Sequence, residues 1–224
     1  MINNLLGILG GMGVQATSRF CQMVTDMQSV TVEQEYIEML VYNKTSTPNR
    51  TAFILGESKD SPLPSLLQAA RALEAAGANC IAMPCVTAHY FYKELAAALS
   101  IPLLNILEET AAFAAEQGYG KVGLLATTGT VQGGFFQKAF ARVGVDVILP
   151  NAMQQNALMK IIYDLKPGGE LLTNALDELA ASLRDKDAEV VVLGCTELSL
   201  LPTGHGYIDA MQVLAKAAVA KCQL

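Results

Sequence analysis

Tryptophan is absent from the 224-residue sequence, and only seven Phe and seven Tyr are present. Any core must therefore be built from aliphatic side chains. Charge is scarce too: 16% of residues are charged, the formal net charge is −6, and no basic stripe stands out. Without clustered Lys and Arg to neutralise phosphates, a general grip on nucleic acid is excluded. A small anion would have to be held by local donors, against the overall field. No apolar run approaches the ~18 residues that a membrane-crossing helix needs. The start, MINNLLGILGG, lacks the basic, apolar and small-residue regions of a secretory leader. The expectation is a soluble, cytoplasmic protein with no membrane partner. Histidine occurs twice, at His89 and His205, with no short Cys/His cluster, so no metal site is expected. Five cysteines (Cys21, Cys80, Cys85, Cys195 and Cys222) form no CxxC pair and are odd in number. In a reducing compartment they predict free thiols, not a disulfide framework.

What is present is 52% hydrophobic, enough for substantial cores. LLGILG (5–10) reads as a buried parallel strand, followed by a helix over 17–27. EYIEMLVYN (35–43) reads as a second strand, and KTSTPNRT (44–51), polar and proline-containing, as a loop. SLLQAARALEAAG (65–77) is an Ala/Leu-rich helix stopped by Gly77. NCIAM (79–83) is a third strand, with AHYFYKELAAAL (88–99) the helix after it. From Pro102 the pattern begins again. PLLNI leads into the helix LEETAAFAAEQ, which Gly118 ends. KVGLLAT (121–127) is a strand, TGTVQGG a polar turn, FFQKAFARV a helix and VDVIL (145–149) a strand. A helix near 154–164, a break at KPGG, a helix over about 170–184, the strand AEVVVLG (188–194) and a closing helix IDAMQVLAKAAVAKC complete the chain. Strands alternating with helices indicate βαβ units and mostly parallel sheets, here two similar α/β lobes. Ligands of such sheets sit beyond the carboxyl ends of the strands, so the turns that follow strands are candidates to share one cleft.

Gly11-Met12-Gly13-Val14-Gln15-Ala16 matches G-x-G-x-x-A between a strand and a helix. A dinucleotide site also needs an acidic residue at the end of the second strand, which here ends in Tyr42-Asn43. Two other readings remain: amides approaching a small anion at a helix start, or a purely structural turn. Two thiols share a context about half the chain apart, Cys85-Val86-Thr87 and Cys195-Thr196-Glu197. Each follows an apolar strand and a Pro or Gly, at or near a helix start, where the dipole is expected to lower a thiolate's pKa. One such cysteine would be read as packing; two in matched contexts point to function. Cys21, Cys80 and Cys222 lie inside helical or strand patterns and are read as packing. Two thiols facing one cleft suit removal of a proton from one face of a carbon and delivery to the other. A cysteine protease would pair one thiol with a histidine and an orienting group. His89 is four residues beyond Cys85, so helix spacing could bring them near, but nothing in the sequence supplies the third member and Cys195 would be unexplained. His89 is therefore read as capping or packing, and His205, in LPTGHGY, as exposed.

GGMGVQAT, YNKTSTPNRTAFILG, MPCVTAHYF, LLATTGT and LGCTELSLL, in that order over nearly the whole chain, resemble the aspartate/glutamate racemase family of cofactor-independent enzymes. The resemblance implies two three-layer α/β lobes with mostly parallel four-stranded sheets, related by a pseudo-twofold. Residues 1–100 with 209–224 would form one lobe and 101–208 the other, with the substrate between them, no cofactor, and a homodimer. It implies Cys85 and Cys195 as the acid/base pair acting on an acidic amino acid, aspartate ahead of glutamate. Arg50 would hold the side-chain carboxylate, for which its planar fork is suited, and Lys166 would be a second basic contact. Thr87, Thr128 and Thr196 would hold the α-carboxylate, with Met12 and Val86 completing the substrate contacts. Two positions depart from the family pattern: Val86 stands where Asn is usual, and Val14 where Pro is usual. Valine offers no amide to the substrate, a loss of ~1–3 kcal/mol where the partner stays unpaired. Two alternatives fit the same residues: a cysteine-dependent isomerase or decarboxylase of a small dicarboxylate, and a carboxylate-binding protein without turnover.

Overall fold

Strand β1 (Leu6–Gly10) is buried along its whole length, as a strand covered on both faces must be. In the computed structural model, which describes residues 5–167, 174–201 and 204–223, β1 is flanked by β2 (Met39–Asn43) and β3 (Cys80–Ala82), both parallel to it. A second sheet orders β4 (Lys121–Leu125), β5 (Asp146–Ile148), β6 (Val190–Leu193) and β7 (Tyr207–Asp209) as β5-β4-β6-β7, again all parallel. The expectation of two four-stranded sheets holds for the second only. In the first, the fourth position is a single bridge between Ile81 and Leu103. Pro102 has no N–H to extend a ladder, and Asn105 already caps the next helix by accepting from Leu107 N. Strand β7 was hidden at the head of the closing helix. Asp209 ends it and starts the helix, accepting from Met211 N and Gln212 N.

The period of two along each strand sorts its side chains between layers. Val190 and Val192 of β6 face a central core, together with Leu6 and Ile8 of β1 and Val122 and Leu124 of β4. Filling that core are helices α1 (Val14–Asp26), α5 (Ile106–Glu116), α7 (Phe135–Arg142) and α10 (Ala210–Cys222). The alternate residues face outward. Leu9 and Ile81 pack under α3 (Leu63–Ala75) and α4 (Tyr92–Ala97). Val191 and Leu193 pack under α8 (Ala152–Leu165) and α9 (Asn174–Arg184). One apolar core is thus common to both sheets. The C-terminal α10 packs on α1 and α5 and touches both β3 and β7. The KPGG break and the expected start of the helix after it fall partly at 168–173, outside the described residues.

The segment after β3 is not one helix, as its pattern suggested, but a 3-10 helix (Val86–Phe91) followed by α4. His89 anchors it from inside. Its buried ring donates from Nδ1 to the Cys85 carbonyl at 3.0 Å and accepts at Nε2 from Ile106 N at 3.3 Å. It therefore caps α5 and addresses the backbone of Cys85, as the capping reading expected and as a Cys–His catalytic pair would not. Both nitrogens are engaged in the neutral form, and burial drops the pKa from 6.5 to about 4.

Because the folded value is depressed, the unfolded chain takes up a proton that the folded chain refuses once the pH falls below about 6.5. The stability present above that pH is lost as the pH approaches 4, on the order of 3 kcal/mol from this residue. Urea unfolding measured from pH 7.5 to 4.5 is expected to show this decline, and His89→Gln to flatten it. An equally steep decline in the variant would exclude His89 as its source.

Candidate active site

The glycine turn after β1 serves to place an arginine. Gly11 has φ +88°, a left-handed conformation that favours glycine, and its N–H donates to Thr17 Oγ1 at 3.1 Å. That amide is therefore occupied, and Met12 contributes its carbonyl, which accepts from Arg50 Nη2 at 3.0 Å. Arg50 lies not in a loop but at the first position of helix α2 (Arg50–Ile54), with Asn49 as cap accepting from Ala52 N. Its Nη1 donates to the carbonyls of Pro48 at 3.1 Å and Thr47 at 3.4 Å. Nε is buried with no hydrogen-bond partner among the described residues.

Cys85 follows β3 and caps the 3-10 helix in extended backbone, its N–H donating to Met83 O at 2.7 Å. Val86 is buried in the central core. Thr87 Oγ1 lies 3.0 Å from Thr127 Oγ1 and 3.2 Å from Thr130 Oγ1, and Thr127 donates to Thr130 at 3.0 Å. The three hydroxyls close a buried triangle between segments that follow strands of different sheets. Its second member, Thr127, caps and its third, Thr130, stands on α6 (Thr128–Gly133), a short helix where the sequence suggested only a turn. Thr128 does not line the cavity. Its N–H faces Met159 Sδ at 3.2 Å and its hydroxyl accepts from Gln155 at 3.4 Å.

Cys195 follows β6. Thr196 beside it donates to the Pro84 carbonyl at 3.2 Å, crossing to the segment before Cys85. What comes next is a 3-10 helix of three residues, Leu198–Leu200, too short for much dipole. The expected lowering of the thiol's pKa is reversed here. Burial, then the charge of Glu197, raise Cys195 well above 9.0, and Lys166 pulls in the other direction. Cys195 Sγ donates to Glu197 Oε2 at 2.9 Å. Lys166 stands at the end of α8 with Nζ 5.0 Å from the Tyr163 ring centre.

One cavity is bordered by Met12, Arg50, Cys85, Val86, Thr87, Lys166, Cys195 and Thr196, joined by Asn49, Thr51, Thr127 and Glu197. The space a water's centre can occupy in it is about 10 Å³, room for roughly one water. Its walls must part to admit anything the size of an amino acid. Roomier grooves, of about 520 Å³ beside α10 and about 340 Å³ beside α4 and α7, border neither Cys85 nor Cys195. Sequence reasoning missed Thr127 and Glu197. Glu197 was available in Cys-Thr-Glu, but a glutamate is exposed by default. His205 is exposed.

Residues 9–218 match the family described as Asp/Glu/Hydantoin racemase. The broad specificity amino-acid racemase RacX of Bacillus subtilis (strain 168) is 30% identical over 224 residues, 96% of this chain and 97% of that protein. Picrophilus torridus aspartate racemase superposes with a TM-score of 0.89 at 25% identity, over 98% of this chain and 94% of that one. Glutamate racemase of Francisella tularensis in complex with D-glutamate shares the fold at a TM-score of 0.68 and 14% identity, over 99% of this chain and 81% of that one.

The electrostatics around Cys195 have a sign that can be measured. Alkylation of the Cys195 peptide by iodoacetamide, followed by mass spectrometry against pH, is expected to rise only above pH 9. Glu197→Gln removes a negative neighbour and shifts the rise to lower pH, whereas Lys166→Met removes a positive one and shifts it higher. Coincident profiles for all three proteins would refute this account of the thiol.

Proposed function

This chain belongs to the Asp/Glu/hydantoin racemase family and is an amino-acid racemase; from that premise we propose that it racemises an acidic amino acid without a cofactor, aspartate ahead of glutamate, using Cys85 and Cys195 as the two acid/base groups. The observation that carries the reading is their common cavity. Two thiols, each just beyond a central or flanking strand of a different sheet, border one narrow space with Arg50 and Lys166.

The chemistry follows from that arrangement. One sulfur as thiolate removes the α-proton, and the other as thiol delivers a proton to the opposite face. Burial and Glu197 favour the protonated form of Cys195, which suits it to deliver a proton. Reversal of the reaction exchanges the roles. Without an electron sink, charge building on the α-carboxylate has to be met by fixed donors. Thr87, Thr127 and Thr196 stand at the cavity wall with hydroxyls already oriented by one another or by a carbonyl. Such preorganised dipoles act most strongly where water is excluded. Arg50, held by three backbone carbonyls, and Lys166 supply the positive charge that a second carboxylate needs. The same reading divides the chain into 1–100 with 209–224 and 101–208, and places it as a homodimer in the cytoplasm.

A second reading, a wider range of amino acids, is favoured by Val86. That side chain is buried in the core and withholds the amide that would help fix one substrate, and the name of the 30% identical relative describes broad specificity.

Incubation of the protein with L-aspartate, L-glutamate or a panel of neutral L-amino acids in D₂O tests both readings by NMR and chiral analysis. Loss of the Hα signal with appearance of the D-isomer is expected for aspartate first. Cys85→Ala and Cys195→Ala are each expected to lower racemisation by about 10²- to 10⁴-fold, the usual worth of a general acid or base. Near-wild-type turnover in either variant would end the two-thiol mechanism, and equal rates across the panel would replace the acidic substrate by the broader one.

A further inference from the structure

Glu197 is 3% exposed, and its two oxygens are in different situations. Oε2 accepts from the Cys195 thiol at 2.9 Å. Oε1 is buried at the cavity with no hydrogen-bond partner among the described residues. Buried carboxylates are normally paired or fully hydrogen-bonded. Neither cavity cation supplies that partner: among the described residues the one ion pair is Arg142 with Glu108, on the surface. Arg50 donates instead to three carbonyls, and the Lys166 ammonium lies over Tyr163.

Gly13 supplies a second observation. Its backbone, φ −115° and ψ 154°, is ordinary extended chain that any residue adopts, so no conformational demand calls for glycine. A Cβ there would stand 3.0 Å from Glu197 Oε1 and, its chain neighbours aside, meet no other described residue within 4 Å. The missing side chain therefore keeps one approach clear, the one to the unpaired oxygen. The charges at the wall agree. Arg50 and Lys166 are cationic and Glu197 anionic, the reverse of the two carboxylates and one ammonium of an acidic amino acid.

We propose that Glu197 Oε1, reached through the space left by Gly13, receives the α-ammonium of the substrate, while Oε2 holds the Cys195 thiol. The inference rests on the racemase reading and deepens it, since it names the group that selects amino acids over diacids lacking the amine. One carboxylate then orients both the substrate nitrogen and the sulfur that serves the α-carbon. An ammonium at Oε1 also offsets the negative charge beside Cys195, so that losing the thiol proton becomes easier once substrate is in place.

Calorimetric binding of DL-aspartate, whose composition turnover leaves unchanged, against succinate, the same diacid without the amine, provides the test. Wild-type protein is expected to prefer aspartate. Glu197→Gln is expected to weaken aspartate by about 10- to 100-fold, the span of a charge-assisted hydrogen bond, and to leave succinate unchanged or tighter. Gly13→Ala, which leaves the carboxylate intact and blocks the approach, is expected to show the same selective loss. Circular dichroism establishes that both variants are folded. Equal binding of the two ligands by wild-type protein, binding of neither, an unchanged preference in Glu197→Gln, or an equal loss of both ligands in a folded variant overturns the proposal. Selective binding that both variants abolish, in a wild-type protein that exchanges no Hα, supports the ammonium site and overturns the racemase reading alone.

Discussion

The central apolar core shared by the two sheets is the constraint on which the site depends. Leu6 and Ile8 from one sheet and Val122, Val190 and Val192 from the other are buried in the same cluster, so the sheets cannot separate without exposing it. Each fully buried aliphatic side chain contributes on the order of 1.5–3 kcal/mol. With the sheets held face to face across α1, α5, α7 and α10, the segments that follow β3 and β6 arrive at the same cavity. Cys85 and Cys195 meet there because of packing that lies entirely elsewhere.

Around that cavity the polar groups are fixed by partners from other segments of the chain. Thr87, beyond β3, is bonded to Thr127 and Thr130, beyond β4. Thr196, beyond β6, reaches back to the Pro84 carbonyl. Met12, beyond β1, orients Arg50 on α2. Hydroxyls and guanidinium nitrogens held this way need little reorganisation when charge develops near them. His89 belongs to the same scheme at one remove, since it ties the Cys85 carbonyl to the start of α5. Against this background the Oε1 of Glu197 and Nε of Arg50 stand out as having no hydrogen-bond partner among the described residues, and both residues border the cavity.

Much of this was legible in the residues. Short apolar runs separated by helical patterns indicate parallel α/β layers because a strand buried on both faces must be apolar throughout. The repeated strand–thiol–helix context of Cys85 and Cys195, and the order of motifs from GGMGVQAT to LGCTELSLL, pointed to one family before any coordinates. The failures have physical causes. Strand β7 and helices α2 and α6 are too short for a period to show, and the last two are started by the caps Asn49 and Thr127 in stretches that otherwise read as loop and turn. Thr128 was expected at the cavity, but capping geometry puts its neighbour Thr127 there. The rule that a helix start lowers a thiol's pKa failed at Cys195, because burial, and then a buried glutamate two residues on, outweigh a three-residue 3-10 helix.

The sequence by itself determined the layer type, the parallel strands and the chemical inventory: two matched thiols, an arginine, a lysine and threonines at strand ends. The layers and the matched thiols follow from periodicity and local motif, which act over a few residues; the arginine, the lysine and the threonines were singled out by the family resemblance. The tertiary structure alone decided which of them share a cavity, that the cavity is narrow, that burial and a neighbouring charge raise the Cys195 pKa, and that a glutamate is buried beside it with one oxygen unpartnered among the described residues. Those properties depend on burial and on partners far away in the chain, as Thr196 depends on Pro84. Desolvation and long-range contact come into being only when the two sheets close on their common core.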